Sequence, residues 1–271
     1  MYSFPVIDGF VLTTQGLPLN GREYAASVPL LIGVNRDEGG ISAPFPPPAN
    51  ASQAITELGL LLGIDTASII KSGAFPTPSG PDAAFNVLNV TSRIITDGGL
   101  RCISQATAYS GAKHRVFPNV YAFQFNRTYQ PPTFTNEACS PPKTKEFPRG
   151  DPSQEYFKCH AGELAYVLGF ISREIGFGDR DGLDIPFSRL VLDQWAAFAK
   201  TGNPNPDIAF LKARNYTSTI EQLRMRGHWD AVDPSSPMLS LLQWDAHDSM
   251  RDFEDIRQCE ILGYPIDYFE A

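Results

Sequence analysis

The sequence has no apolar run approaching the ~18 residues that a membrane-spanning helix needs. Its longest, Val28–Val34 and Leu58–Ile64, fall well short. Charge is scarce, at 19% of residues, and weighted to acid: Lys+Arg 22 against Asp+Glu 30, a net charge of -8. Without a clustered positive field, nucleic acid and anionic membrane are excluded as main partners. The four cysteines (102, 139, 159 and 259) never form a C-x-x-C pair, so neither a zinc ribbon nor a thioredoxin-type site is spelled out. There is no internal repeat and no linker composition to divide the 271 residues, which argues for one α/β layer structure rather than two domains. What is abundant is apolar and aromatic: 42% hydrophobic, with Phe 18 and Tyr 10, enough to bury a core. Pro 23 and Gly 22 are high for a helical bundle and suit a loop-rich fold.

Four N-x-[ST] triplets begin at Asn50, Asn89, Asn126 and Asn215. With an even cysteine count they point to a secreted glycoprotein. Met1-Tyr2-Ser3-Phe4-Pro5 carries no basic and apolar leader, so the expectation is a chain lacking its front end. The other reading is a cytosolic protein with chance triplets.

Residues 28–35, a continuous apolar run ended by Arg36-Asp37-Glu38-Gly39-Gly40, read as a strand buried on both faces of a parallel sheet. Acidic side chains at its carboxyl end lie where open α/β sheets place ligands. Residues 41–50 form a Pro-rich loop, and Gln53 to Ser110 is mostly helical in period. Val120 to Asn126 predicts a second strand, 127–155 a long excursion loop, and Pro186 to Lys200 a helix stopped by Gly202.

Two segments carry chemistry: Gly33-Val34-Asn35-Arg36-Asp37-Glu38-Gly39 and Cys159-His160-Ala161-Gly162-Glu163-Leu164. A carboxylate at a strand end and a histidine on a separate loop make two thirds of an acid–base–nucleophile set. On these residues alone, the reading of Glu38 as a solvated turn residue and of His160 as a structural one takes precedence. The same two segments, preceded by Phe4-Pro5-Val6-Ile7-Asp8-Gly9 and followed by Trp195-Ala196-Ala197-Phe198-Ala199-Lys200-Thr201-Gly202-Asn203-Pro204-Asn205, occur in an order that resembles the C-terminal half of the type-B carboxylesterase/lipase family, the cholinesterase-like α/β-hydrolases, closest to secreted fungal members.

That resemblance implies the C-terminal portion of an α/β-hydrolase sheet flanked by helices, a single partial domain over 1–271. It implies Glu38 as triad acid and His160 as base, with Asp37 and Glu163 supporting them. Glu163 also reads as an exposed first-turn glutamate favoured by the helix dipole. No cofactor and no metal is implied, and the partner is a small-molecule or lipid ester. No G-x-S-x-G and no HGGG-type segment occurs, and Gly40-Ile41-Ser42-Ala43 lacks the second glycine. The nucleophile is therefore expected on a missing N-terminal half, joined in cis or supplied in trans by a second chain. A non-catalytic binding or adhesion-type relative is the other class. Four cysteines allow three connectivities; we take Cys139–Cys159, clipping the long loop to the base segment, and Cys102–Cys259, tying the tail to a helix. Cys159 adjoins His160 too closely in sequence to pair with it as a Cys–His couple. His114, His228 and His247 read as surface or packing residues. Asp179, Asp181 and Asp184 hint at a calcium loop but lack its full spacing.

Overall fold

The computed structural model describes residues 6–12, 16–17, 19–20, 26–43, 50–62, 64–131, 133–134, 136–173 and 176–270, with backbone only at 61–62. Phe4 and Pro5 of the first motif and residues 44–49 of the Pro-rich loop lie outside these. The first strand, β1 (Leu30–Asn35), is followed by four helices: α1 (Ala51–Leu62), α2 (Thr66–Ser72), α3 (Ala83–Thr96) and α4 (Cys102–Lys113). Asp65 and Asp82 start α2 and α3 by accepting the backbone N–H of Ser68 and Phe85. A π-helical turn, Asp97–Arg101, joins α3 to α4.

The second strand, β2 (Val120–Phe125), runs parallel to β1, with Leu30 opposite Val120 and Asn35 opposite Phe125. Its alternation is small against large rather than polar against apolar. Val120 and Ala122 pack with Ala108 of α4 on one face, while Tyr121 and Phe125 enter an aromatic cluster on the other. That cluster is closed by α6 (Asp184–Thr201), whose Phe187, Leu190 and Val191 are fully buried. Phe123 meets the Trp195 ring edge-on at 5.2 Å, a geometry worth about 0.5–1.5 kcal/mol beyond area. Gly33 is required by register: a Cβ there would stand 2.1 Å from the Phe123 carbonyl oxygen. Gly202 ends α6 in the left-handed conformation, φ 71°, as its place after Thr201 leads one to expect.

Before α6 lies the short α5 (Leu164–Val167); after it come α7 (Ile208–Ala213) and α8 (Thr217–Arg226). The sheet is completed by β3 (Met238–Leu242), parallel to β2, and β4 (Met250–Asp252), antiparallel to β3; α9 (Ile256–Ile261) follows. Neither β3 nor β4 is evident in sequence, because each is short and β4 is polar and exposed on two of three positions. The order β1-β2-β3-β4 leaves β1 at one end, and no described strand covers its outer edge. Both disulfides, Cys102–Cys259 and Cys139–Cys159, are the pairings taken from sequence. No helix among the described residues is long and apolar enough to cross a membrane.

Candidate active site

The site is built at the carboxyl end of β1. There the chain turns through Arg36 and Asp37 into a single 3-10 turn, Glu38–Ile41, whose Glu38, Gly39 and Gly40 are buried. The paired glycines allow this burial. A Cβ on Gly39 would lie 2.4 Å from the Ser92 carbonyl oxygen of α3, and one on Gly40 2.6 Å from Cys159 Sγ. The acid turn is thereby wedged between α3 and the Cys139–Cys159 disulfide.

Glu38 and His160, 122 residues apart in sequence, meet directly: Glu38 Oε2 lies 2.6 Å from His160 Nδ1. Glu38 Oε1 accepts the Asn35 backbone N–H at 2.6 Å. Burial pushes the Glu38 carboxyl above its ordinary range, and the nearby Glu163 charge adds to this; the bonds from Asn35 and His160 oppose it. The His160 side chain is 52% exposed against 8% for Glu38. An acid enclosed by protein thus holds one ring nitrogen, while the ring's other side faces outward. No hydrogen bond engages His160 Nε2 among the described residues.

The base loop is fastened from several sides. Asp37 Oδ2 accepts the Lys158 N–H at 2.8 Å, and the Asp37 N–H donates to the Lys158 carbonyl at 3.1 Å. Asn35 Nδ2 donates to the Cys159 carbonyl at 2.9 Å and to Glu163 Oε2 at 2.5 Å. Glu163 is therefore a half-buried strut between β1 and the head of α5, in place of an exposed first-turn residue. Gln130 Nε2 donates to the carbonyls of Cys159 and His160. Ala161 turns the loop with φ 62°. Asn35 and Gln130 were not singled out in sequence. Asn35 stands inside the acid motif, whereas Gln130 lies in a long loop whose path no local pattern predicts.

Two buried charge groups brace this arrangement. Arg101 donates to the Arg36 carbonyl at 2.7 Å, to Asp255 at 2.7 Å and to Asp97. Burial and Asp255 push the Asp97 carboxyl up to about 7 against the pull of Arg101. Below the base loop, Asp184 accepts from Arg127, Arg180 and the Tyr166 hydroxyl. Burial pushes its carboxyl up, but the two guanidiniums outweigh this and hold it well below the usual range. Asp179, Asp181 and Asp184 do converge, yet Asp181 is bonded to Arg127 and Asp179 to the N–H groups of Asp184 and Ile185. Their lone pairs serve cations and amides of the chain itself. With Arg127 and Arg180, Asp181 and Asp184 form an arginine–carboxylate brace.

The remaining expected sites are dispersed. His228 pairs with Asp230 on the surface, His114 lies 3.5 Å from Glu270, and His247 is exposed. Ser42 is exposed just past the acid turn. Asn50 and Asn215 are exposed, and Asn89 lies within α3. Asn126 is committed through both amide atoms, to Arg36 and Gln243, and its Thr128 is fully buried. A glycan at Asn126 would have to displace these contacts.

No curated protein matches the sequence. Among solved structures, a PNB esterase matches with TM-score 0.54 at 16% identity over 86% of this chain. That match covers 38% of the esterase's length, so this chain spans well under half of it. The likeness is one of fold: a mixed four-stranded sheet with flanking helices, as in an α/β-hydrolase. The sequence profile of the carboxylesterase family matches residues 1–260. The strand that ends in the buried acid and the loop that returns the imidazole to it thus lie on a chain that belongs to the carboxylesterase family.

Proposed function

We propose that this chain supplies the acid and base of a Ser-His-Glu carboxylic-ester hydrolase, as the C-terminal portion of an enzyme whose nucleophile is carried by a further segment. The observation that supports this most directly is the 2.6 Å contact between Glu38 Oε2 and His160 Nδ1. Glu38 accepts the Nδ1–H, fixing the tautomer in which Nε2 is basic and outward-facing. His160 Nε2 takes the proton of an attacking serine hydroxyl as its oxygen bonds to the ester carbonyl carbon. It then returns that proton to the departing alkoxide, which leaves as the alcohol. Water, deprotonated by the same nitrogen, releases the acid and restores the serine. The carboxylate of Glu38 stabilises the imidazolium formed in each half-reaction. No cofactor or metal is required by these steps.

The substrate class is a small-molecule or lipid ester, and the chain is part of a secreted glycoprotein. The two disulfides, of a kind that persists in oxidising compartments, support the latter. The open edge of β1 supports a site there for a strand of the missing half, in cis or as a second chain.

The test is hydrolysis of a short-chain and a long-chain ester by this chain alone and by the chain fused to the residues encoded upstream of Met1. The fused protein is expected to hydrolyse at least one ester and to react with a fluorophosphonate at a serine outside these 271 residues. His160→Gln and Glu38→Gln should each reduce kcat by about 10³–10⁴-fold. Full activity in fused His160→Gln, or stoichiometric labelling of this chain alone, overturns the proposal.

A further inference from the structure

Arg36, Asn126 and Gln243 are the first residues past the carboxyl ends of β1, β2 and β3, the parallel strands of the sheet. All three line one cleft of about 310 Å³. Open α/β sheets hold their ligands in the crevice outside these strand ends. The volume falls at the small end of the roughly 300–1,000 Å³ usual for such sites. Neither Glu38 nor His160 contributes to the walls.

Charge in the wall is balanced and already engaged. Its three cations, Arg36, Arg127 and Lys158, stand among three acids, Glu155, Asp181 and Asp245. Arg36 pairs with Glu155, and Arg127 with Asp181. Lys158 Nζ donates to the Tyr156 carbonyl, with Glu155 3.7 Å away. Asp245 Oδ1 accepts from Gln222 at 3.4 Å. The amides are pinned likewise: Asn126 accepts from Arg36 and donates to Gln243 Oε1, and Gln154 Nε2 donates to Asp151.

Donors and acceptors are left side by side. Among the described residues, Gln243 Nε2 and Trp244 Nε1 have no acceptor, and Gln154 Oε1 and Asp181 Oδ2 have no donor. On the half-buried Gln243, Trp244 and Asp181 these atoms are open to solvent. An anion would meet the carboxylates and a cation the guanidiniums, while an apolar body would leave the pinned polar groups unpaired. A sugar hydroxyl carries no charge and both donates and accepts. Trp244 supplies an aromatic surface for the C–H side of a sugar ring. Side chains already held by their neighbours lose little freedom on binding. We propose that this cleft binds a neutral pyranose unit, its hydroxyls bonded to Gln154, Asp181 and Gln243 and its ring against Trp244. The proposal stands independently of the Glu38–His160 reading.

Calorimetric titration of the full chain with the methyl pyranosides of glucose, galactose and mannose tests it, against cyclohexylmethanol, glucuronate and N-acetylglycinamide. At least one glycoside is expected to bind saturably at one site at millimolar concentration, and cyclohexylmethanol not at all. Raising salt from about 0.05 to about 0.5 M should change that affinity by less than about twofold, because no net charge is read. Trp244→Phe/Gln154→Ala removes an N–H and an acceptor but keeps a ring in place, and should weaken the glycoside about tenfold or more. Gln154→Ala alone alters an exposed loop residue; it should already weaken binding severalfold, which separates recognition from damage to the fold. His160→Gln is expected to leave binding unchanged; its loss there would assign the sugar to the Glu38–His160 site and overturn the proposal. So would equal binding of cyclohexylmethanol or N-acetylglycinamide, tighter binding of glucuronate than of any glycoside, unchanged affinity in both variants, or no saturable binding of any glycoside.

Discussion

Lys158, two residues before the base, is a cation the fold has enclosed. Its Nζ donates to the Tyr156 carbonyl at 2.6 Å and lies 3.7 Å from the centre of that residue's ring. Burial, and then the positive charge of Arg36, bring its ammonium down to about 8, with Glu155 opposing. A base whose folded pKa is depressed is disfavoured while protonated, so its contribution to stability improves as pH rises from about 8 to about 10.5, where the unfolded lysine also loses its proton. Lys158→Met keeps the aliphatic stem and removes the charge. Urea midpoints should therefore favour the variant at pH 7 by roughly 1–2 kcal/mol and converge towards pH 10. Parallel pH profiles for the two proteins would refute this account. Glu38 shows why residue identity alone is ambiguous. As a turn glutamate it reads as solvated, and only the glycines that follow, by admitting α3 and a disulfide, make it a buried acid.

At the scale of elements, the base loop stands on the joint between α5 and α6, and Asp184 holds that joint. It accepts from Arg180 Nε at 2.8 Å, Arg127 Nε at 3.0 Å and Tyr166 Oη at 2.6 Å, and is itself fully buried. Asp184→Asn leaves two buried guanidiniums without their shared counter-charge, a change that costs about 3–5 kcal/mol in comparable pairs. In the wild type this carboxyl's depressed pKa means its contribution is present above the unfolded value near 4 and is lost as the pH falls below it. Denaturant titrations at pH 7 and at pH 3 should therefore separate variant from wild type widely at the first and less at the second. An equal gap at both would count against the ion-pair explanation. Helices were legible here: α6 has its apolar stripe and a glycine stop, and α2 and α3 have aspartate caps. The role of Asp184 was not, since its partners lie on β2's exit and on the segment before α6, where carboxylates close in sequence resemble a cation loop.

Across the whole molecule the open feature is the outer edge of β1. It is parallel, apolar and uncovered by any described strand, with Val28 exposed beside it and Val6, Phe10 and Val11 exposed nearby in sequence. The chain alone is expected to self-associate: light scattering should report species larger than 29.8 kDa, and Val28→Lys should shift them towards monomer. A monodisperse monomer with one sharp unfolding transition would contradict this. Some of this molecule follows from sequence alone, because periodicity and turn chemistry act between neighbours. The apolar β1 run, the β2 aromatics, the helical stretch between them and the segments holding Glu38 and His160 are of that kind. The tertiary structure alone decided the sheet's other end, the 2.6 Å meeting of acid and imidazole, and the braces of Arg101 and Asp184 behind them. The Glu38–His160, Arg101–Arg36 and Arg127–Asp184 contacts span 122, 65 and 57 residues, and their geometry is set by packing and by burial of charge, which no local pattern encodes.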